Sequence, residues 1–195
     1  MEIVIHRVNT LAKLTTVPNN FGCEIDIRAF GSELILNHEP FISGERLSDF
    51  LENYKHGILI LNVKEAGIET AILDMVAKVG ISRYFLLDVE FPYIYNAARR
   101  GIRKIAVRFS EDEPIQLIQN YKEMVDWVWI DTITHFPVTK NEVPLLESFQ
   151  TCIVCPERWG RPQDIPLIKR QMQDLNFKPT AVMTSLECTP MWTSQ

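Results

Sequence analysis

Apolar runs of strand length alternate with amphipathic stretches of helix length along the chain, no break in composition interrupts them, and the strand-like runs number eight. Together these features predict one α/β domain over residues 1–195, built as a compact (βα)8 barrel of TIM type with one or more outer helices missing. A chain of 195 residues lies at the lower edge of barrel sizes, so its connections must be short.

The strand-like runs are residues 3–6, 23–28 with a hairpin-like return through 33–38, 58–64, 84–89, 104–109, 127–132, 151–155 and 181–185. Each is short, apolar and rich in Val, Ile, Leu or aromatic residues, as strands buried on both faces require. The stretches ERLSDFLENYK, GIETAILDMVAKVG, FPYIYNAARRG, PIQLIQNYKEMV, NEVPLLESF and QDIPLIKRQMQDLNF carry apolar residues at helical spacing. Punctuation supports several of them: Ser43 or Ser48 near one start, Pro114 at another, and Gly80 and Gly101 just past two ends. The Thr-, Pro- and Asn-rich segment between His6 and Gly22 is weakly periodic and reads as one missing helix. Too little chain follows Ser185 for a final helix.

Composition narrows the partners. The chain is 46% hydrophobic and 23% charged, enough for a sizeable core, and its net charge of −5 comes without a clustered basic stripe, which argues against a nucleic acid duplex. A small anionic substrate needs only two or three local cations. The N-terminus MEIVIHRVN lacks the basic and long apolar regions of a secretory signal, and no apolar run approaches the ~20 residues of a transmembrane segment. A cytoplasmic location is therefore expected. Cys152 and Cys155 form a C-x-x-C, but on a strand positions three apart face opposite ways, so buried thiols are expected rather than a zinc or redox pair. Oligomeric state is left open by the sequence.

The segment GCEIDIR places two carboxylates inside an apolar run. Alternation turns Glu24, Asp26 and Arg28 to one side and Cys23, Ile25 and Ile27 to the other. Two inward carboxylates are costly to bury unpaired, so a cation must sit between them. Either Arg28 and Lys64 form a buried ion-pair network with them, or the pair holds a hard divalent metal ion, Mg2+ or Ca2+, at the mouth of the barrel. Other strand ends bring polar groups to the same mouth: His6 and Arg7 after the first strand, His38 after the hairpin return, and Asn62 and Lys64 on one face of the third.

This pattern of His6-Arg7, Glu24-x-Asp26, His38 and Lys64 resembles the glycerophosphodiester phosphodiesterase family, within the wider group of phosphatidylinositol-phospholipase-C-like phosphodiesterases that includes the spider-venom sphingomyelinase D type. The ending VMTSLECTP is similar to the family's last strand. The resemblance is dense in the first third of the chain and thin beyond it. It implies a metal-dependent phosphodiester hydrolase acting on a small-molecule phosphodiester in lipid or envelope-carbohydrate metabolism. Glu24 and Asp26 would hold the metal, Arg7 and Lys64 would bind phosphate, and His6 and His38 would share the acid and base roles. A substrate hydroxyl beside the ester would attack, giving a cyclic phosphodiester that water opens later.

Two departures stand out. Asn62 occupies the place of the family's third carboxylate ligand, so it brings an oxygen without charge and the metal should bind more weakly, unless Glu65, Asp88 or Glu90 helps. The family's small inserted cap domain is absent, leaving an open mouth that would admit a larger diester. Beyond the first third, Arg108 is expected among the substrate-binding groups. Asp131 ends the sixth strand as a further candidate for the pocket, close to Trp127 and Trp129, which either line it or pack in the core, and the loop CPERWGRP after the seventh is either a substrate-contact segment or a solvated loop. A non-catalytic binding or regulatory module on the same barrel, and a lyase releasing a cyclic phosphate, are the alternatives.

Overall fold

The computed structural model describes residues 1–194. The chain is a mixed α/β fold that packs as two compact bodies, Val4–Asn96 and, with residues 1–3, the part from Ala97 onward.

The first body is organised around one long strand. Strand β1 (Glu2–Ile5) enters it at Val4, and β2 (Gly22–Phe30) pairs in parallel with it, Val4 opposite Gly22 and Ile5 opposite Cys23. On its other edge β2 runs parallel to β5 (Leu59–Val63), with Asp26 opposite Asn62, and β5 runs parallel to β6 (Tyr84–Leu87). The far end of β2 turns back into β3 (Glu33–Leu36), the expected hairpin, and β3 pairs with a two-residue β4 (Glu45–Arg46) that the sequence pattern did not signal. Gly22 is needed where β2 meets the entry to β5, because a Cβ there would lie 2.4 Å from the Ile58 carbonyl oxygen. The helices are α1 (Leu11–Leu14), α2 (Leu47–Asn53) and α3 (Glu69–Lys78). The supposed gap after His6 thus holds a single turn, started by the Thr10 hydroxyl accepting from the Lys13 N–H.

The boundary between the bodies falls inside α4 (Phe91–Arg99). The second body contains β7 (Ala106–Phe109), β8 (Trp127–Ile130), β9 (Gln150–Val154) and β10 (Ala181–Thr184), paired in parallel in that order. Its helices are α5 (Ile115–Asn120), α6 (Val143–Leu146), α7 (Ile165–Asp174) and α8 (Thr189–Thr193). The five-residue α8 corrects the expectation that nothing helical follows Ser185; Pro190 sits in its first turn, where a missing N–H costs nothing. In both bodies the central strands are buried on both faces, which is why they read as continuous apolar runs.

All four cysteines are free, and Cys23, Cys152 and Cys155 are buried. Cys152 and Cys155 are buried thiols, as the strand reading of the C-x-x-C expected; burial pushes the Cys155 thiol well up, and the Cys23 thiol up to about 12. No helix among the described residues is long and apolar enough to cross a membrane.

Candidate active site

The candidate site lies entirely within the first body and is built on β2. Its two carboxylates, Glu24 and Asp26, are each 1% exposed. The turn after β1 folds over them. Arg7 adopts a left-handed backbone, φ 54°, unusual for a residue with a side chain. Its N–H thereby donates to Glu24 Oε2 at 2.7 Å, while the Val8 N–H donates to the Glu24 carbonyl at 2.8 Å. Lys13 ties the turn down from outside, its Nζ donating to the carbonyls of His6 and Arg7 at 2.9 Å each. Asn9 clasps Asp26 twice: Nδ2 donates to Oδ2 and Oδ1 accepts from the Asp26 N–H, both at 2.8 Å.

Strand β5 supplies the other wall. Asn62 Nδ2 donates to Glu24 Oε1 at 2.8 Å, and Lys64 Nζ lies 3.2 Å from Asp26 Oδ1 and 3.4 Å from Asp88 Oδ2. Asp88 follows β6 with φ 58°, a second strained residue at a strand end. His6 Nε2 is 3.9 Å from Glu24 Oε2, and Arg7 Nε is 3.9 Å from Asp26 Oδ2.

Burial and the neighbouring Asp26 charge push the Glu24 carboxyl up to about 7, against the opposing pull of the Arg7 N–H, Asn62 and Lys64. Two oxygens in the cup, Asp26 Oδ1 and Asn62 Oδ1, are buried without a hydrogen-bond partner. Two carboxylates and an amide oxygen, with these two atoms among them, form a donor set that suits a hard cation such as Mg2+ or Ca2+. The set is lean, since no cluster of three or more His, Cys, Asp or Glu residues among those described could hold a metal.

The structure brings together six of the residues singled out in the sequence: His6, Arg7, Glu24, Asp26, Asn62 and Lys64. Arg28, offered as a cation for the buried pair, goes elsewhere. Its Nε and Nη2 donate to the His38 carbonyl at 3.1 and 3.0 Å, and its Nη1 donates to the Lys64 carbonyl at 3.2 Å. Of the proposed ion-pair network, the Lys64 half alone is present. His38 is linked to β2 by this carbonyl and by its neighbour Asn37, whose N–H donates to the Asp26 carbonyl at 3.0 Å. Its ring Nδ1, however, lies 2.6 Å from Glu39 Oε1 and makes no bond to the carboxylate pair. Arg108 belongs to the second body, where its Nη1 donates to Asp131 Oδ2 at 3.0 Å.

Sequence reasoning missed Asn9 and Lys13. Both lie in the segment taken for a missing helix, and only two polar side chains just past a strand end marked them.

No protein-family model matches the sequence, and no curated protein matches it. Solved structures do. A glycerophosphodiester phosphodiesterase from Agrobacterium tumefaciens strain C58 superposes with a TM-score of 0.68 at 10% identity, over 96% of this chain and 98% of that one. A glycerophosphoryl diester phosphodiesterase from Parabacteroides distasonis superposes with a TM-score of 0.66 at 12% identity, over 97% and 85% of the two chains. The chain has their fold. At such identities the likeness fixes the path of the backbone from end to end, and the chemistry must be argued from the side chains.

Proposed function

We propose that this chain is a metal-dependent phosphodiester hydrolase acting on a glycerophosphodiester-like or related small phosphate diester. One observation carries the proposal: His6, Arg7, Asn62 and Lys64 gather around the sealed Glu24–Asp26 pair, in a chain with the fold of glycerophosphodiester phosphodiesterases. The closed (βα)8 barrel belongs to the same proposal, supported by that near-full-length likeness. So does a cytoplasmic location, supported by four free cysteines.

Glu24, Asp26 and Asn62 would hold Mg2+ or Ca2+, which when bound would neutralise charge on a non-bridging phosphate oxygen. Lys64 and Arg7 bring cations to the same cup and would bind the remaining phosphate oxygens. His6 and His38 would divide the proton transfers, imidazole being the side chain suited to both directions near neutral pH. One removes the proton from a substrate hydroxyl next to the ester. That oxygen attacks phosphorus, the bond to the leaving alcohol breaks, and the other histidine returns a proton to the alkoxide. The product is a cyclic phosphodiester, which water then opens. For His38 this requires its ring to leave Glu39 when substrate binds.

The test is turnover of bis(p-nitrophenyl) phosphate and a panel of glycerophosphodiesters with Mg2+, Mn2+ or Ca2+, in the native chain and in His6→Ala and Glu24→Ala. Turnover that both substitutions leave intact would defeat the site. Phosphorus NMR separates complete hydrolysis from release of the cyclic ester. A non-catalytic binding module is favoured by one observation, the Asn62 amide in place of a third carboxylate, and failure to turn over any diester would select it.

A further inference from the structure

The second body carries a constellation of its own, built around Asp131 and including Arg108, a substrate-binding candidate from the sequence. Asp131, immediately after β8, is 3% exposed. Its carboxylate is filled by three donors: the Thr132 N–H at 3.0 Å and the Trp159 Nε1–H at 2.9 Å on Oδ1, and Arg108 Nη1 at 3.0 Å on Oδ2. A buried acid is thus spent on holding two groups that reach solvent, Trp159 at 40% exposure and the Arg108 side chain at 34%.

The loop that presents the indole is pinned on both sides. Residues Pro156–Trp159 form a 3-10 turn closed by Gly160 at φ 73°. Glu157 accepts from the Thr184 hydroxyl and from the Ser185 N–H at 3.1 Å, and Arg161 donates to the carbonyls of Thr132 and Ile133. The Arg158 guanidinium lies 5.6 Å from the centre of the Trp159 ring. An exposed tryptophan is ordinarily free to change rotamer; this one is locked by its N–H and by its loop, with the Arg158 guanidinium beside its ring and Arg108 on the other oxygen of the same carboxylate. Such a preset surface lowers the ordering cost of binding. Its chemistry matches a ligand that joins an anion to a ring: guanidinium for the phosphate oxygens, indole for the ring face.

We propose that Arg108 and Trp159, fixed by Asp131, form a binding site for a phosphate monoester bearing a sugar or base ring. Its test does not depend on the phosphodiesterase chemistry proposed above.

The experiment follows the indole N–H resonances of the 15N-labelled full chain, with Trp159 assigned from Trp159→Phe. Adenosine 5′-monophosphate, ribose 5-phosphate, glycerol 3-phosphate and inorganic phosphate are titrated separately. The expected result is a saturable shift of the Trp159 resonance with one or both ring-bearing esters, weaker binding of the two ringless ligands, and roughly tenfold or greater weakening in Arg108→Gln. A response to ribose 5-phosphate equal to that of the nucleotide places the sugar on the indole, and a stronger nucleotide response places the base there. The proposal fails if neither ring-bearing ester moves the Trp159 signal saturably, if inorganic phosphate binds as tightly as they do, or if Arg108→Gln retains native affinity. The remaining amide resonances report whether each variant is folded, so a clamp that serves only to hold the loop is distinguished from a ligand site.

Discussion

Glu24 and Asp131 are both carboxylates sealed from solvent, and their surroundings differ in one respect. Three donors occupy Asp131, including two that reach from separate elements. Around Glu24 the sum is incomplete: a second carboxylate stands beside it, Asn62 Oδ1 lacks a hydrogen-bond partner, Asp26 Oδ1 meets the Lys64 ammonium at 3.2 Å without a hydrogen bond, and the Glu24 carboxyl is pushed up to about 7. A satisfied buried acid fixes its neighbours in place. An unsatisfied pair remains poised to take up a proton or a cation, and burial makes that uptake favourable.

The sharpest way to break this contrast is to neutralise each acid. Glu24→Gln should lower diesterase turnover by roughly a thousandfold or more, because a charged ligand of the proposed phosphate-neutralising cation is lost, while thermal stability holds or rises. Turnover within a few-fold of native would remove Glu24 from the site. Asp26→Asn should behave similarly in activity, with a smaller gain in stability because it also gives up the Lys64 partner.

Next in size is the response to pH without divalent cations. Glu24 binds its proton more tightly in the folded chain than in the unfolded one, where the ordinary value is 4.5. Between pH 4.5 and about 7 the unfolded chain has released that proton and the folded chain retains it, so stability falls as pH rises across this window. The loss is about 3 kcal/mol and levels off above the upper limit. Denaturant melts at several pH values would show the slope, and Glu24→Gln should abolish it. Saturating Mg2+ should recover part of the loss at pH 7.5, since a cation takes the place of the proton. A slope that survives in Glu24→Gln would assign the effect to another group.

Asp131→Asn gives the third effect. Removing the charge weakens the Arg108 and Trp159 bonds, at a cost of roughly 1–3 kcal/mol in stability, and Trp159 fluorescence should shift towards that of solvated indole. Unlike Glu24→Gln, this substitution should never stabilise the chain; a rise in melting temperature would erase the distinction between the two acids.

Much of this was legible in the sequence because parallel strands leave a double record. Covered on both faces, they read as uninterrupted apolar runs, and the polar residues that interrupt them, Glu24, Asp26 and Asn62, mark the site. Strand alternation placed the carboxylate pair on one side and Asn62 with Lys64 on another, which the β2–β5 register brings into contact. What failed to show was anything set by backbone conformation. The left-handed turn at Arg7, which aims an N–H at Glu24, has no glycine to announce it, and Asn9 bonds Asp26 from a segment without periodicity. The orientation of Arg28 was equally hidden, since alternation gives the side of the strand and says nothing of which carbonyls a long side chain will reach. Arg108, Asp131 and the CPERWGRP loop that carries Trp159 each stand out as pocket candidates in the sequence, but that one carboxylate binds both other side chains is a fact of the fold.

The smallest effect tests the turn itself. Lys13 is at the surface, and its two bonds to the carbonyls of His6 and Arg7 should contribute less than about 1 kcal/mol to stability, because water competes for the same groups. One of those carbonyls nevertheless belongs to Arg7, whose backbone must remain in an unfavourable conformation for its N–H to meet Glu24, and the other to His6 just before it. Lys13→Met keeps the aliphatic stem and removes the donors. The variant should melt within a few degrees of the native chain and yet lose several-fold in kcat with KM little changed, as positioning of His6 loosens while the phosphate-binding cations stay. A change confined to KM would instead make Lys13 one of the cations that attract the substrate, and the strained turn would then be held by the carboxylates alone.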